Sequence, residues 1–304
     1  MTCIFFKVCF LIFFFLSLDI QAEIEIPVLT LGYLENGLKD LNDVDKQVAL
    51  NLLAKELTRD SNVVLSVLPL HDIQELLTLA KDGKIDYAIL NSYYYLSDVK
   101  HLKPYVSADL WAIQRSQNPA ENYVLVVNNK FEYKDIKSLA GKRFSLNQDH
   151  LMINFYLKYL LKKYTSISVD KYFEVIKNTR TASQSVLDVF FNTSDVCLVP
   201  DYALDLVNEL NPAVKQGVKV VHQSGSHFIP AVVLAFNNSN NIYSDKVKNN
   251  LDNISGSVRG QEILELFNIK NITKVDGAHF DYMSEIFEEY KNMGSGIKYV
   301  NKAP

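Results

Sequence analysis

The chain has 304 residues, of which 48% are hydrophobic and 22% charged, and its formal net charge is -4. This length exceeds one ordinary domain and points to about two, and so much apolar sequence excludes a disordered chain. The acidic balance and the lack of any RNA or DNA motif exclude a nucleic-acid partner.

The N-terminus reads as an export signal. Lys7 is followed by an eleven-residue apolar run from Val8 to Leu18, and Ala22 offers a small residue for cleavage. The run is short of the roughly 20 apolar residues that a transmembrane helix needs. Residues 1–22 are therefore expected to be a cleaved signal peptide, and the mature protein periplasmic. Cys3 and Cys9 lie inside this segment, which leaves Cys197 as the lone cysteine of the mature chain and allows no internal disulfide.

Ile26 to Leu34 reads as a strand. Val44, Val48, Leu52, Leu53 and Leu57 then fall at helical spacing behind a cap at Asn42 or Asp43. Asn62 to Leu68 is the next strand, Ile73, Leu76, Leu77 and Ala80 form a second helix face, Gly83 is its stop signal, and Ile85 to Leu90 is an apolar strand. The order β-α-β-α-β implies a parallel sheet with right-handed crossovers. The third strand runs into Asn91-Ser92-Tyr93-Tyr94-Tyr95. Ligands of open α/β sheets bind beyond the carboxyl ends of the strands. Tyr93, Tyr95 and, after the first strand, Tyr33 are therefore candidate ligand contacts, since a phenol hydrogen-bonds and stacks. Tyr94 and its neighbours have packing as the alternative. Trp111, in Leu110-Trp111-Ala112-Ile113, reads as a core strand or hinge residue.

A crossing over Ser116 to Asn122 leads to the strand Tyr123–Val127 and a second region with the same grammar. Phe144–Asn147 is a strand, and Ile153, Leu157, Leu160 and Leu161 mark a helix. Phe173–Ile176 is a strand, Ala182, Val186, Val189 and Phe190 mark a helix, and Val196–Val199 is a buried strand. A return crossing over Gln223 to Pro230 leads to the strand Ala231–Phe236. Helices through Val247, Leu251 and Ile254, and through Val258, Ile263, Leu264 and Phe267, complete the first lobe. The expected architecture is α/β with two lobes, each a mostly parallel sheet flanked by helices, joined by two hinge crossings. Residues 23–121 and 228–304 form one lobe and 122–227 the other.

Three turns of the second lobe follow strands at this edge. Asn178-Thr179-Arg180-Thr181 opens a helix, with Thr179 or Thr181 to cap it and Arg180 either binding an acid group bidentately or lying on the surface. Gln148-Asp149-His150 either caps its helix or receives a polar or amine-bearing group. Asp201 follows the strand Val196–Val199 and either lines the cleft or caps the next helix. His150, His222 and His227 lack metal-ligand spacing, so neither metal nor cofactor is expected. No nucleophile elbow or phosphate-binding loop is present, so no enzyme is expected either.

Four segments together carry a family resemblance. They are Gly83-Lys84-Ile85-Asp86 leading through a strand to Tyr95, Asp135-Ile136-Lys137-Ser138-Leu139-Ala140-Gly141-Lys142-Arg143, Lys171-Tyr172-Phe173, and Val275-Asp276-Gly277-Ala278-His279-Phe280-Asp281. With these the chain resembles the phosphonate/phosphite/phosphate substrate-binding proteins of bacterial ABC transporters, a branch of the type II periplasmic binding proteins. The resemblance implies a monomer that captures a small polar or anionic ligand between its lobes and delivers it to a membrane permease. The alternative is a ligand-sensing module for a membrane receptor or sensor kinase. It also implies that Tyr95 faces the ligand and that a hydroxyl-rich turn at a second-lobe helix N-terminus holds the anion. Here that turn is Asn147-Gln148-Asp149-His150-Leu151-Met152, in which Asp149 repels an anion.

Overall fold

The computed structural model describes residues 26–34, 43–116, 118–239 and 242–293. The expected signal peptide at 1–22 and the helix cap at Asn42 or the Asp43 side chain lie outside the described residues.

The chain begins with β1 (Val28–Leu34), α1 (Asp43–Leu57), β2 (Val64–Leu70), α2 (Ile73–Lys81), β3 (Tyr87–Asn91), α3 (Ser92–Leu102) and β4 (Val106–Gln114). Local chemistry sets these boundaries. The Asp72 carboxylate accepts from the Gln74 and Glu75 N–H groups at the start of α2, and Gly83, at a φ of 65° where a side chain would be strained, turns the chain out beyond its end. The Asp86 carboxylate then accepts from the Thr30 N–H at 2.7 Å, which helps align β3 beside β1.

After the first crossing come β5 (Glu121–Asn128), β6 (Arg143–Leu146), α4 (Leu151–Tyr164), α5 (Val169–Tyr172), β7 (Val175–Asn178) and α6 (Ala182–Phe190). They are followed by β8 (Val196–Pro200), α7 (Asp201–Leu210), α8 (Pro212–Gly217) and β9 (Val218–Phe228). The chain returns through β10 (Ala231–Phe236), α9 (Ile242–Asp252), α10 (Val258–Glu265), β11 (Asn271–Val275) and α11 (Asp281–Asn292).

Two sheets result. The first has the order β11-β4-β10-β3-β1-β2 and the second β7-β6-β8-β5-β9. Both are mixed, where the sequence led us to expect mostly parallel pairing. β1 pairs parallel with β2 and β3, but β10 is antiparallel to β3 and β4, and β4 to β11. In the second sheet β6 is parallel to β7 and β8, while β5 is antiparallel to β8 and β9. The βαβ units supply the parallel half of each sheet. The two strands that follow a crossing directly, β5 and β10, reach their sheet without a helical crossover and run the other way, whereas β4 and β9, reached through helices, run with the parallel strands.

Three apolar clusters hold these layers. One packs α1, α9 and α10 on the outer face of the first sheet, around Leu31, Leu50, Trp111 and Leu251. Another fills the outer face of the second sheet, around Val124, Val189 and Val199. The largest runs continuously from Leu70, Leu90 and Leu96 in the first lobe to Leu125, Phe144 and Phe155 in the second. Its centre is α4, which buries Met152, Phe155, Tyr156 and Tyr159 as well as Ile153, Leu157, Leu160 and Leu161. A helix apolar nearly all round has to be covered on both sides. The sheet covers one side of α4, and α3 and α11 cover the other. Phe155 stacks on Phe287 of α11 at 3.9 Å between ring centroids, and Tyr93 of α3 lies 5.5 Å from Phe287.

Two expectations of the sequence give way here. The return crossing is only Ile229 and Pro230, because β9 continues to Phe228. Gly225, at a φ of 80°, and the register shifts against β5 let a turn-like Ser-Gly-Ser stretch remain in the sheet. Val48 and Val258, read as apolar helix face, are 55% and 74% exposed.

Trp111 is fully buried, and its indole N–H donates to the Asp252 carboxylate at 2.6 Å, fastening α9 to β4. Trp111→Phe removes this donor, returns the exposed Asp252 carboxylate to water and leaves space in the core where the larger indole packed. It is expected to lower the unfolding free energy by about 1–3 kcal/mol in urea titrations followed by circular dichroism.

Candidate ligand cleft

Strand polarity brings the working edges of both sheets to the crossings. β3 ends at Asn91, opposite Ala231 at the start of β10. β6, β7 and β8 end at Leu146, Asn178 and Pro200, and β5 begins beside them at Glu121, opposite Phe228. The cleft between these edges draws on the first turn of α3 on one side and on the turns after β6, β7 and β8 on the other.

On the first-lobe side, Asn91 caps α3, its side-chain oxygen accepting from the Tyr93 N–H at 2.9 Å. The Ser92 N–H donates to the Pro230 carbonyl at 3.1 Å, which ties this turn to the second crossing. The three tyrosines therefore lie on a helix rather than at a strand end, and successive side chains point about 100° apart. Tyr93 packs toward Phe155 and Phe287, Tyr94 meets Tyr93 edge-on, and the Tyr95 ring stands 5.1 Å from Phe280. Burial pushes the Tyr93 and Tyr95 phenols up from their ordinary values. Tyr33 is a correction. It alternates with Leu29 and Leu31 into the cluster under α1, it is 4% exposed, and its hydroxyl donates to Gln47 at 2.9 Å.

On the second-lobe side, Asn147 binds the edge together. Its side-chain oxygen accepts from the Asp149 N–H at 3.0 Å and its amide donates to the Arg180 carbonyl at 3.3 Å. The Gln148 N–H donates to the Asn178 side chain at 3.0 Å, so the turns after β6 and β7 form one unit. Gln148, Asp149, Arg180 and Thr181 are exposed on it. Thr181 also caps α6, accepting from the Gln184 N–H at 3.2 Å. Thr179 is another correction, since it is 3% exposed and shares a 2.7 Å hydrogen bond with Ser185 inside the lobe. The cap of α4 is His150 rather than Asp149, its Nδ1 accepting from the Ile153 N–H at 3.4 Å. Asp201 is the first residue of α7 and accepts from the Tyr202 N–H at 2.8 Å. Burial pushes its carboxyl up, against the pull of that bond.

The structure adds groups that the sequence reading missed. Glu121 and Tyr123, at i and i+2 of β5, face the same side as Leu125 and Val127, toward α4. Glu121 is 2% exposed, and neither of its carboxylate oxygens has a hydrogen-bond partner among the described residues. His150 Nε2 stands 3.5 Å from Glu121 Oε2. Tyr123 is fully buried, stacked on Phe228 at 4.4 Å and edge-on to His150 at 5.6 Å, and its hydroxyl also lacks a partner among the described residues. The Ser92 hydroxyl is in the same condition. Arg115, at the first crossing, donates to the Tyr202 hydroxyl at 3.4 Å. A charged residue heading an apolar strand, in phase with its buried face, was the available signal for Glu121. The edge thus mixes Arg115, His150 and Arg180 with Glu121, Asp149 and Asp201.

With this geometry the comparisons are specific. The sequence profile of the family described as "ABC transporter, phosphonate, periplasmic substrate-binding protein" matches residues 42–280. The chain belongs to this family. No curated protein is a significant match by sequence. Among solved structures, PhnD1 from Prochlorococcus marinus in complex with methylphosphonate has a TM-score of 0.60 at 17% identity, covering 87% of this chain and 98% of its own. A binding-protein component of an ABC phosphonate transporter from Pseudomonas aeruginosa has a TM-score of 0.59 at 12% identity, covering 91% of each chain. XAC2383 from Xanthomonas citri bound to ATP also has a TM-score of 0.59 at 12% identity, covering 89% of this chain and 99% of its own. These likenesses confirm the type II fold. As a member of this family the chain is a substrate-binding protein of an ABC transporter. No helix among the described residues is long and apolar enough to cross a membrane.

Beside the cleft, the Tyr156 hydroxyl and His222 Nε2 are 2.9 Å apart, and burial holds the His222 imidazole below its ordinary value. The folded state thus favours neutral His222. The stability this group contributes is present above the ordinary histidine range and is lost as pH falls through the lowered folded value. Thermal melts of the wild type from pH 7.5 to pH 5 are expected to show a steeper acid-side loss than melts of His222→Gln.

Proposed function

We propose that the substrate-binding protein holds a ligand bearing an acid group, an oxyanion or a carboxylate, between the first turn of α3 and the joined turns at 147–150 and 178–181. The observation that carries this reading is Arg180. Its turn is tied by backbone and side-chain bonds to the turn before α4, and its guanidinium is exposed at the strand edge where open α/β sheets take ligands. A guanidinium fork pairs with a carboxylate or phosphonate through two parallel hydrogen bonds. The Asp149 carboxylate on the same unit limits how much negative charge this edge tolerates, which favours a singly charged acid over a dianion. The methylphosphonate bound to PhnD1 supports a small acid as the ligand class.

In this reading the protein is a periplasmic monomer without catalytic turnover, its lobes dividing at the two crossings. Ligand favours the closed population because it contacts both lobes. A thermal-shift panel of methylphosphonate, phosphite, phosphate, propionate and ethanesulfonate, followed by calorimetry on the best binder, tests it. At least one acid is expected to raise the melting temperature. Arg180→Ala is expected to weaken that binding by about 1.5–3 kcal/mol, with the circular dichroism spectrum unchanged. Tyr95→Phe removes the hydroxyl but keeps the ring against Phe280, and it is expected to weaken binding by a smaller factor. Unchanged affinity in both variants would remove the site.

A further inference from the structure

We propose that a groove at the far end of α4 from the cleft is a second ligand site, one that takes a small acid carrying an apolar body, such as an aryl or medium-chain carboxylate. The groove has a volume of about 370 Å³ and lies between α4, the loop into α5 and the last turn of α11. That volume falls in the lower part of the range of small-molecule sites.

Its charge comes from two lysines of α4. Lys158 and Lys162 line the groove one helical turn apart, a spacing at which like charges on a helix repel. Lys162 is held in place, since its ammonium donates to the Tyr290 carbonyl at 3.0 Å and lies 4.2 Å over the Tyr290 ring. An ammonium has three N–H donors, so the carbonyl leaves some of them for a ligand. Lys158 is exposed and has no hydrogen bond or ion pair among the described residues.

The neighbouring acids do not answer these charges. Glu289 of α11 is taken by the Tyr159 hydroxyl at 2.5 Å and by Lys163 at 3.3 Å. Asp170 of α5 lines the groove but is exposed and makes no ion pair with either lysine. The sequence beyond Met293 holds Lys298 and Lys302 and no acidic side chain, so it brings none either. Two cations facing one carboxylate favour a singly charged acid over a dianion.

The apolar body has its own wall. Ile167 is 43% exposed and lines the groove with the half-buried Tyr290 ring. The loop that carries Ile167 is fixed before any ligand arrives. Ser166, at a φ of 57°, donates from its N–H to the Leu161 carbonyl at 3.1 Å, and the Ile167 N–H donates to the Thr165 hydroxyl at 3.2 Å. Ser168 precedes α5 without capping it through its side chain, which leaves its hydroxyl free to donate to a carboxylate oxygen. At 1.5 Å of rise per residue, the two lysines stand roughly 12–18 Å along the α4 axis from His150 at the cleft turn. The groove is thus separate from the cleft.

Phenylacetate and hexanoate are the probes, measured by calorimetry and saturation-transfer NMR. Acetate, which has the charge without the body, and phenethylamine, which has the body with the opposite charge, are the controls. At least one of the two probe acids is expected to bind the wild type about ten-fold more tightly than either control. Lys158→Ala and Ile167→Ser, both at exposed positions, are each expected to weaken that binding by about five-fold and to melt as the wild type does. Arg180→Ala, which acts at the cleft, is expected to leave it unchanged. Failure of both acids to bind overturns the site, as does equal binding of phenethylamine or unchanged affinity in either groove variant. Binding lost in Arg180→Ala and kept in Lys158→Ala places the acid in the cleft and overturns the site too. None of these failures touches the reading of the cleft, which is tested by its own panel.

Discussion

Helix α4 is apolar on nearly every side, and the rest of the molecule is arranged to cover it. The second sheet takes the face bearing Leu157 and Leu161, while Phe155 stacks on Phe287 at 3.9 Å and draws α11 and α3 onto the other face. Lys162 reinforces this seam, donating to the Tyr290 carbonyl at 3.0 Å with its ammonium 4.2 Å over the Tyr290 ring. The same helix begins at the cleft, capped by His150, so the element that joins the lobes also presents one of the ligand turns. Burying an aromatic pair of this kind is worth several kcal/mol in area alone, so the seam fastens α4 to α3 and α11.

The cleft shows the opposite energetics. Glu121, Tyr123 and Ser92 hold buried polar atoms that the fold leaves without hydrogen bonds among the described residues. Each such atom costs stability that a core of the same shape without it would retain. The polar edge and the aromatic seam lie on the same elements, α3 and α4.

Much of the architecture was legible in the sequence. The alternation of apolar strands with helical faces, Gly83 as a stop and Trp111 as a core strand residue all follow from periodicity and backbone preference. Cleft residues were harder. Tyr33 and Thr179 stand at strand ends as the pattern requires, but one turns under α1 and the other pairs with Ser185, because orientation at a strand end depends on which face the next helix covers. Arg180, Thr181, Gln148 and Asp149 share the exposed edge, and Asn147, which ties them together, carried no signal beyond being an asparagine after a strand.

The linear pattern of apolar and polar residues determined by itself that two α/β units would form and that their strand ends would carry the exposed polar turns, because burial period and turn chemistry are local properties. It did not determine the mixed pairing of the sheets, the turning of the tyrosines into an aromatic seam, or the burial of Glu121 beside His150. Those depend on which strand lies beside which and on what covers α4, contacts between residues far apart in the chain that only the tertiary structure decides.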